Sequence, residues 1–271
     1  MTDTSVVIVN YRTMELTRQA VASVLLEPEV TEVVVVDNAS GDGSAAFLRA
    51  AFGDERVRVV ESETNVGFGP AVNLAAADCA TPLLFILNSD ATLAPGSLGR
   101  LVLALTADES VGAVGPAVYL PDGHLQPGTY GRLPRRSDLF RSTGWAGTAS
   151  GEDGLDRAPG WISGVAILLR TADFQTLGGF DPAFGMYLED VDLCRRLGEL
   201  GKRVIREPSA AVTHRVGKSW RSARDRTRSF HASKLRYFQA LGAGPIELGW
   251  IRALGAIRTA AATTPNRPRR R

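Results

Sequence analysis

Three carboxylates fall within four residues at Glu189, Asp190 and Asp192, a spacing that could support acid–base chemistry. If these residues open a helix, the helix dipole stabilises them there without any catalytic purpose. They follow the apolar segment 184–187 (FGMY), and a carboxylate desolvated by such neighbours has a raised pKa suited to a general base. Glu189 and Asp190 are adjacent and face different directions, so one could deprotonate an acceptor while the other positions it. The residues alone leave a helix cap and a general base as open alternatives.

Asp90 and His214 could together hold a divalent metal ion. Asp90 closes the segment 88–90 (NSD) after an apolar run, and His214 ends a second short strand. The pair would supply one hard and one borderline ligand for Mg²⁺ or Mn²⁺, and the oxygens of a bound diphosphate could complete the shell. Taken singly, each residue also fits a structural role, Asp90 in a turn and His214 as a hydrogen-bonded core histidine.

Polar residues follow three predicted strands in the first part of the chain. Asn10 with Tyr11, Asp37 with Asn38, and the segment 88–90 each come directly after an apolar run. Because ligands of open parallel sheets bind at the carboxyl ends of the strands, three such clusters predict a binding site, whereas one alone would be an ordinary turn. The chain has no GxxxxGK(S/T) loop and no complete dinucleotide fingerprint, so a bound nucleotide must be held by another device.

The elements that would position these residues alternate between strands and helices over the first 120 residues. Ser44 is predicted to cap the second helix. Repeated strand–helix–strand units predict an α/β fold with a mostly parallel, twisted sheet flanked by helices. The predicted strands are 5–10, 33–36, 57–61, 83–87 and 111–118, and the predicted helices are one ending near 25, then 44–52, 69–78 and 96–107.

The second half of the chain is less regular. Residues 121–160 are rich in Gly, Pro, Ser and Arg and are predicted to form functional or mobile loops. Residues 265–271 are predicted to form a disordered tail. Between them the pattern predicts a strand at 166–170, a short helix near 172, a helix from 189–192 to 200, short strands at 204–205 and 211–214, and basic helical structure over 221–260.

The charge of the chain is unevenly distributed. A formal net charge of +2 conceals a body, residues 1–214, with 17 basic and 27 acidic side chains, and a tail, residues 215–271, with 14 basic and 2 acidic ones. Aromatic residues interleave with the basic ones after residue 220, so the tail could lie on an anionic membrane surface or dock as a basic helix on the acidic body. The acidic body opposes nucleic acid binding.

The composition is that of an ordinary folded protein, with 44% hydrophobic and 22% charged residues. Two cysteines, Cys79 and Cys194, form no disulfide framework and predict buried thiols in a reducing compartment. No apolar stretch reaches the roughly 18 residues of a membrane span, and no signal peptide is visible. We expect a cytoplasmic protein, and residues 221–271 leave two alternatives open, peripheral contact at the inner face of the plasma membrane and docking on the acidic body.

Eight motifs occur in a fixed order along the chain. They are residues 7–11 (VIVNY), 37–44 (DNASGDGS), 65–69 (NVGFG) with Asn73, 87–90 (LNSD), 164–170 (GVAILLR), 179–181 (GFD), 189–194 (EDVDLC) and 214–219 (HRVGKS). In this order they resemble the family 2 inverting glycosyltransferases of the GT-A fold, and most closely the bacterial rhamnosyltransferases. The resemblance covers about residues 5–220 and implies a nucleotide-sugar-binding half at 1–120, an acceptor-binding and catalytic half of the same domain at 121–220, and a basic helical extension at 221–271.

The resemblance also implies the roles of individual residues. Asp37 would contact the pyrimidine base, and Asn88, which replaces the first carboxylate of the family's DxD motif, would contact the ribose. Asp190 would be the general base, with Glu189 binding acceptor or donor hydroxyls. The remaining implied sites are Asn10, Tyr11, Asn65, Gly67 and Asn73 for the nucleotide, Trp161, Ser163 and Gly164 for the acceptor, and Asp90 and His214 for the metal.

The implied activity is a metal-dependent inverting transfer by a single in-line displacement. The donor it implies is dTDP-L-rhamnose, and the acceptor is a glycan or a polyprenyl-diphosphate-linked sugar in cell-wall or surface polysaccharide synthesis. A transferase for another nucleotide sugar, such as a UDP-sugar, and a non-catalytic nucleotide- or glycan-binding module are the alternatives. A nucleotidyltransferase is disfavoured because residues 10–12 (NYR) contain no glycine where a phosphate loop would begin.

Overall fold

An eight-stranded mixed sheet forms the centre of the protein in a computed structural model that describes residues 2–140, 158–216 and 222–262. A separate two-stranded sheet is built from the segments on either side of residues 141–157. The strands are β1 (Thr4–Asn10), β2 (Val30–Asp37), β3 (Val57–Glu61), β4 (Leu83–Asn88), β5 (Ala91–Leu93), β6 (Val111–Tyr119), β7 (Tyr130–Gly131), β8 (Trp161–Ile162), β9 (Ala166–Arg170) and β10 (Arg203–His214).

The helices lie on both faces of the large sheet. They are α1 (Met14–Val24), α2 (Ser44–Ala51), α3 (Phe68–Ala76), α4 (Ser97–Thr106), α5 (Thr171–Thr176), α6 (Glu189–Glu199), α7 (Ala223–Ala240) and α8 (Pro245–Ala261), with a 3₁₀ turn at Arg136–Phe140. No helix within the described residues is long and apolar enough to cross a membrane.

The strand order of the large sheet is β3-β2-β1-β4-β9-β6-β10-β5. The pairs between β3, β2, β1 and β4 and the β6–β10 pair are parallel, whereas β9 and β5 run antiparallel to their neighbours. The register of β1 places Asn10 opposite Asp37 and Val9 opposite Asn88, so three strands end at one edge. The prediction of a mostly parallel α/β sheet flanked by helices is confirmed.

The core consists of two hydrophobic layers separated by the sheet. Successive side chains of a strand point to opposite faces, so Val6 and Ile8 of β1 pack in one layer and Val7 and Val9 in the other. The first layer is covered by α1, α2 and α4, and the second by α3, α5, α6 and α7. Every residue of β1 is buried, and its centre, residues 6–9, is one continuous apolar run.

Several local predictions differ from the structure. Ser44 does not cap α2, because Gly43, in the left-handed region at φ 82°, occupies the N-cap and Asp42 accepts from the Ser44 amide at 3.0 Å. The two short strands after residue 203 form one strand, β10, whose register shifts between Glu207 and Ala211. The strand β5 was not predicted, because its three residues are too few to show the two-residue alternation of a strand.

The basic segment after residue 221 folds as a helical hairpin. Ser222 caps α7 by accepting from the Asp225 amide at 3.1 Å, and α7 ends at a turn in which Gly242 adopts φ 75°. Pro245 opens α8 at a position where a missing amide hydrogen costs nothing. Tyr237 and Phe238 of α7 and Ile251 of α8 join the core. The tail predicted at 265–271 lies outside the described residues.

Candidate active site

The carboxyl ends of β1, β2 and β4 open into a cleft made of two adjoining cavities. One cavity has a volume of about 330 Å³ and lies beside β1 and the loop before α3, and the other, of about 350 Å³, lies beside the start of α6. Residues that line both cavities are Phe68, Asn88, Asp90 and Met186. A ligand that spans the cleft would therefore pass Asp90 at its centre.

Asp90 and His214 meet at this boundary although 124 residues separate them along the chain. The pairing of β10 with β5 sets His214 opposite Ala91, and the His214 Nε2 atom lies 3.0 Å from Asp90 Oδ1. Both side chains are buried, at 7% and 8% exposure. On its other side the imidazole Nδ1 lies 2.8 Å from the Gln126 Oε1 atom.

The donor atoms of this pair suit a divalent cation. With a cation bound between Asp90 and Nε2, the Gln126 carbonyl oxygen, which can only accept, holds the imidazole proton on Nδ1 and leaves a lone pair on Nε2. That lone pair and a carboxylate oxygen then face the same point, as two ligands of one ion do. The described residues contain no cluster of three or more His, Cys, Asp or Glu side chains that could hold a metal, so further ligands would have to come from phosphate or water.

Glu189 and Asp190 begin α6 and face the second cavity. Two successive residues with positive φ, Tyr187 at 71° and Leu188 at 69°, turn the chain sharply into the helix. Such backbone strain in non-glycine residues occurs mainly at functional sites. The turn leaves Glu189 buried and Asp190 half-buried.

Hydrogen bonds distinguish the two carboxylates. Asp190 accepts from the Gly164 amide through Oδ2 and from the Val191 amide through Oδ1, both at 2.8 Å. The Glu189 Oε2 atom is buried without a hydrogen-bond partner. Burial raises the pKa of both groups, and the Asp190 charge adds to the effect on Glu189, whose pKa rises to about 8. The amide donors oppose this rise for Asp190, which favours the ionised form of Asp190 over that of Glu189.

Asp192, the third carboxylate of the segment, has a structural role. Its two oxygens accept from Arg195 and Arg196 at 2.7 Å, and it is 2% exposed. Arg196 in turn donates to the Leu177 and Gly179 carbonyl oxygens. Asp192 therefore anchors the first turn of α6 to the end of α5, and it is not available for proton transfer.

The first cavity contains four of the predicted nucleotide-binding residues. Gly67 adopts φ 91°, and a Cβ atom there would lie 2.5 Å from the Gly185 carbonyl oxygen, so the close approach of these two loops requires glycine. Asn38 holds the loop in place by donating to the Gly67 carbonyl at 3.0 Å and accepting from the Val66 amide at 3.0 Å. The four predicted residues that line this cavity are Tyr11, Asn65, Gly67 and Asn88.

Two residues that the resemblance assigns to the nucleotide site line neither cavity. Asn10 is fully buried behind the cavity, where it donates to Asp37 Oδ1 at 2.7 Å and accepts from the Thr17 hydroxyl at 2.7 Å. The Asn73 amide group is hydrogen-bonded to the Phe180 backbone: its Nδ2 atom donates to the carbonyl oxygen at 2.8 Å, and its Oδ1 atom accepts from the amide at 2.9 Å. Both side chains stabilise the walls instead of lining them. Asp37 is 5% exposed and lines neither cavity, and its contact with a base stays a prediction.

A model of glycosyl transferase family 2 matches residues 5–149, which is more than half of the chain. The chain belongs to glycosyltransferase family 2. It is 34% identical over 207 residues to an N-acetylglucosaminyl-diphospho-decaprenol L-rhamnosyltransferase of Mycobacterium tuberculosis, an alignment that covers 67% of this chain. The chain spans 66% of the length of that relative.

Solved structures place this family 2 glycosyltransferase in the GT-A fold. The mannosyltransferase PcManGT of Pyrobaculum calidifontis, solved with GDP-Man and Mn²⁺, superimposes with a TM-score of 0.63 at 20% identity, over 98% of this chain and 78% of its own. GalNAc-T7, solved with UDP, GalNAc and Mn²⁺, gives a TM-score of 0.62 at 15% identity, over 87% of this chain and 48% of its own. Likenesses at these identities establish the shared fold.

The second cavity is lined by the three residues predicted to bind the acceptor, Trp161, Ser163 and Gly164. The pairing of β7 with β8 sets Trp161 opposite Gly131, and the Ser163 amide donates to the Thr129 carbonyl at 2.7 Å. The structure thus brings the three residues together with Glu189, Asp190, Asp90 and His214 in one cavity.

Two side chains of the site, those of Gln126 and Arg226, escaped the sequence interpretation. Gln126 lies in a Gly- and Pro-rich loop with no pattern to single it out, and Arg226 is one of many arginines in a basic segment. Arg226 lines the second cavity from α7, which also places Phe230 there. Asn38 had a signal, since it directly follows β2, but its role in holding the Gly67 loop depends on a fold contact. The helix α7 therefore belongs to the site as well as to the basic extension.

Proposed function

We propose that the protein is an inverting, metal-dependent glycosyltransferase that transfers L-rhamnose from dTDP-rhamnose to a polyprenyl-diphosphate-linked sugar or a glycan in cell-wall or surface polysaccharide synthesis. The observation that carries the proposal is the placement of Asp190 in the same cavity as Asp90 and His214. The name of the mycobacterial relative supports both the sugar and the lipid-linked acceptor. In this proposal residues 1–120 supply most of the donor cavity, and residues 121–220 supply the base.

Asp190 is the general base of the proposed reaction. An acceptor hydroxyl in the second cavity gives its proton to the Asp190 carboxylate while its oxygen attacks the anomeric carbon from the face opposite the leaving diphosphate. One displacement of this kind inverts the anomeric configuration and needs no covalent intermediate. Glu189, which carries a proton at neutral pH, donates a hydrogen bond to a sugar hydroxyl and keeps the apolar part of the cavity from holding a second negative charge.

Asp90 and His214 would hold Mg²⁺ or Mn²⁺, whose charge stabilises the negative charge that develops on the departing diphosphate. The Mn²⁺ present in the solved complexes of PcManGT and GalNAc-T7 supports this cofactor class. Gln126 keeps the His214 ring in the orientation and tautomer that a metal ligand needs. Asn88 lines both cavities, and in this proposal it contacts the ribose.

A donor screen tests the function. Purified protein is incubated with dTDP-, UDP- and GDP-sugars in the presence of Mg²⁺ or Mn²⁺, and binding and slow hydrolysis of each donor are measured. We expect the strongest response with dTDP-rhamnose. Preference for a UDP-sugar would replace the rhamnose assignment with the alternative donor, and a GDP-sugar preference would remove it. Donor binding without turnover on any acceptor would favour a non-catalytic binding module.

A further inference from the structure

The outward face of α8 is apolar along its whole length. Ile246, Trp250 and Ile257 are 89%, 52% and 66% exposed, and they recur at the four- and seven-residue spacing that places side chains on one side of a helix. Ala253 falls between them and is exposed too. The opposite side of the helix packs inward through Ile251 and Gly255. A surface helix of a soluble protein normally has charged residues on its outward side, whereas α8 has apolar residues on both sides.

The charges of α8 lie beside the outward face and are mostly positive. Its acidic residue, Glu247, is occupied by an ion pair with Arg136 at 2.8 Å and by the cap of the helix at Gly244. Arg252 is exposed on one flank of the face, whereas Arg258 is half-buried and lies close to His231 and Lys234 of α7. Residues 222–262 together carry seven basic and two acidic side chains. Clustered aromatic and aliphatic residues with basic flanks are the composition of helices that lie in the interface of an anionic membrane.

The α7–α8 hairpin connects this face to the acceptor cavity. Gly255 of α8 packs so closely on α7 that an added Cβ atom would lie 3.0 Å from the His231 Cβ atom. One residue before His231, Phe230 lines the cavity that holds Asp190, and Arg226 lines it one turn earlier. A helix that lies on a membrane would thereby hold the mouth of the site close to acceptors that are anchored in that membrane.

We propose that the outward face of α8, formed by Ile246, Trp250, Ala253 and Ile257, docks on an anionic lipid bilayer, with Arg252 contacting lipid phosphates. An anionic bilayer complements both the apolar stripe and its basic flank. A second copy of the chain complements only the stripe, because two hairpins of net positive charge repel each other. A benefit of this surface to catalysis rests on the proposed function with its lipid-linked acceptor. The lipid contact itself does not depend on that function.

Vesicle flotation tests the proposal with the full chain. The protein is mixed with phosphatidylcholine vesicles that contain or lack phosphatidylglycerol, and the fraction that floats is measured at low and high salt. We expect the wild type to float with the anionic vesicles and to lose binding as salt rises. The double variant Ile246→Ser/Ile257→Ser should lose affinity by about tenfold or more, since it removes two large apolar contacts from the interface.

Leu103→Ser is the matched control, because Leu103 on α4 is 71% exposed and lies on a different helix. It should float as the wild type does. Failure of the wild type to bind anionic vesicles, or unchanged binding of the double variant, would overturn the proposal. A lipid-free dimer that the double variant dissociates would assign the face to a second copy. Turnover of a water-soluble acceptor by the double variant is measured in parallel. Loss of vesicle binding with turnover retained is a failure of lipid docking alone, whereas absence of turnover in both the variant and the wild type is a failure of the proposed function.

Discussion

The Asp190 carboxylate accepts a hydrogen bond from the Gly164 amide at 2.8 Å and thereby ties the start of α6 to the turn before β9. The contact fixes the carboxylate toward the cavity floor formed by Trp161, Ser163 and Gly164. It also favours the ionised form of Asp190, while the buried neighbour Glu189 has an oxygen without a hydrogen-bond partner. Burial raises the pKa of both adjacent carboxylates, and Asp190 has more backbone donors than Glu189 to oppose that rise.

Replacement of Asp190 by asparagine should abolish most of the turnover while it leaves donor binding intact. The amide preserves the size of the side chain but cannot take a proton, so kcat should fall by about 10²–10⁴-fold. The measurement is steady-state transfer together with donor binding by calorimetry. Asp181→Asn is the control, because Asp181 pairs with Arg236 at the surface and lines neither cavity. Unchanged kcat in Asp190→Asn would show that another group is the base.

Replacement of Glu189 by glutamine should change the pH dependence of stability. The pKa of Glu189 is raised by burial from 4.5 to about 8 in the folded protein, so the folded state binds the proton more tightly than the unfolded state. The stability that this proton confers is complete below pH 4.5 and is lost as the pH rises toward 8. Glu189→Gln should therefore be more stable than the wild type at alkaline pH, by about 1–3 kcal/mol, and the difference should shrink toward acid.

Urea unfolding of both proteins at several pH values measures that difference. Glu199→Gln is a suitable control, since Glu199 lies at the exposed end of α6. If Glu189→Gln and the wild type follow parallel curves from acid to alkaline pH, Glu189 is ionised in the folded protein and the assignment of its proton fails.

Replacement of Gln126 by leucine should weaken metal binding without removing a ligand. Gln126 contacts the Nδ1 atom of His214 at 2.8 Å, and loss of such an orienting partner lowers metal affinity by about 10–100-fold. The activity should then require more Mn²⁺ for half-maximal rate, and excess metal should restore kcat. Gln175→Leu, on the exposed side of α5, should behave as the wild type. Activity that persists unchanged in EDTA would remove the metal role of Asp90 and His214.

Replacement of Gly67 by alanine should damage the donor cavity. The added methyl group would lie 2.5 Å from the Gly185 carbonyl oxygen, so one of the two loops must move. Gly41→Ala is the matched control, because Gly41 also has a positive φ, 64°, but its Cβ position is open. Both variants carry a conformational cost, of about 1–3 kcal/mol, and only Gly67→Ala should in addition raise the KM for the donor, by about tenfold or more. Equal donor KM values in the two variants would contradict the packing argument.

The sheet could be predicted from the sequence because its signals are local. The apolar runs of β1, β2 and β4 and the polar residues that follow them are read from neighbouring positions, and parallel strands necessarily bring such ends to one edge. The resemblance extended this prediction to residues that the structure does bring together, Asp90 with His214 and Asp190 with Gly164. The roles of these residues in binding and catalysis stay predictions until they are measured.

The sequence by itself determined most of the strands and helices, the carboxylates at the start of α6 and the uneven charge, because each depends on residue types at short spacing. Only the tertiary structure decided which polar side chains line the cleft. Asn10, Asn65 and Asn73 have the same amide group, yet of the three only Asn65 lines a cavity. Gln126 and α7 enter the site from distant parts of the chain. Hydrogen-bond partners and burial depend on contacts between remote segments, and local sequence carries no record of them.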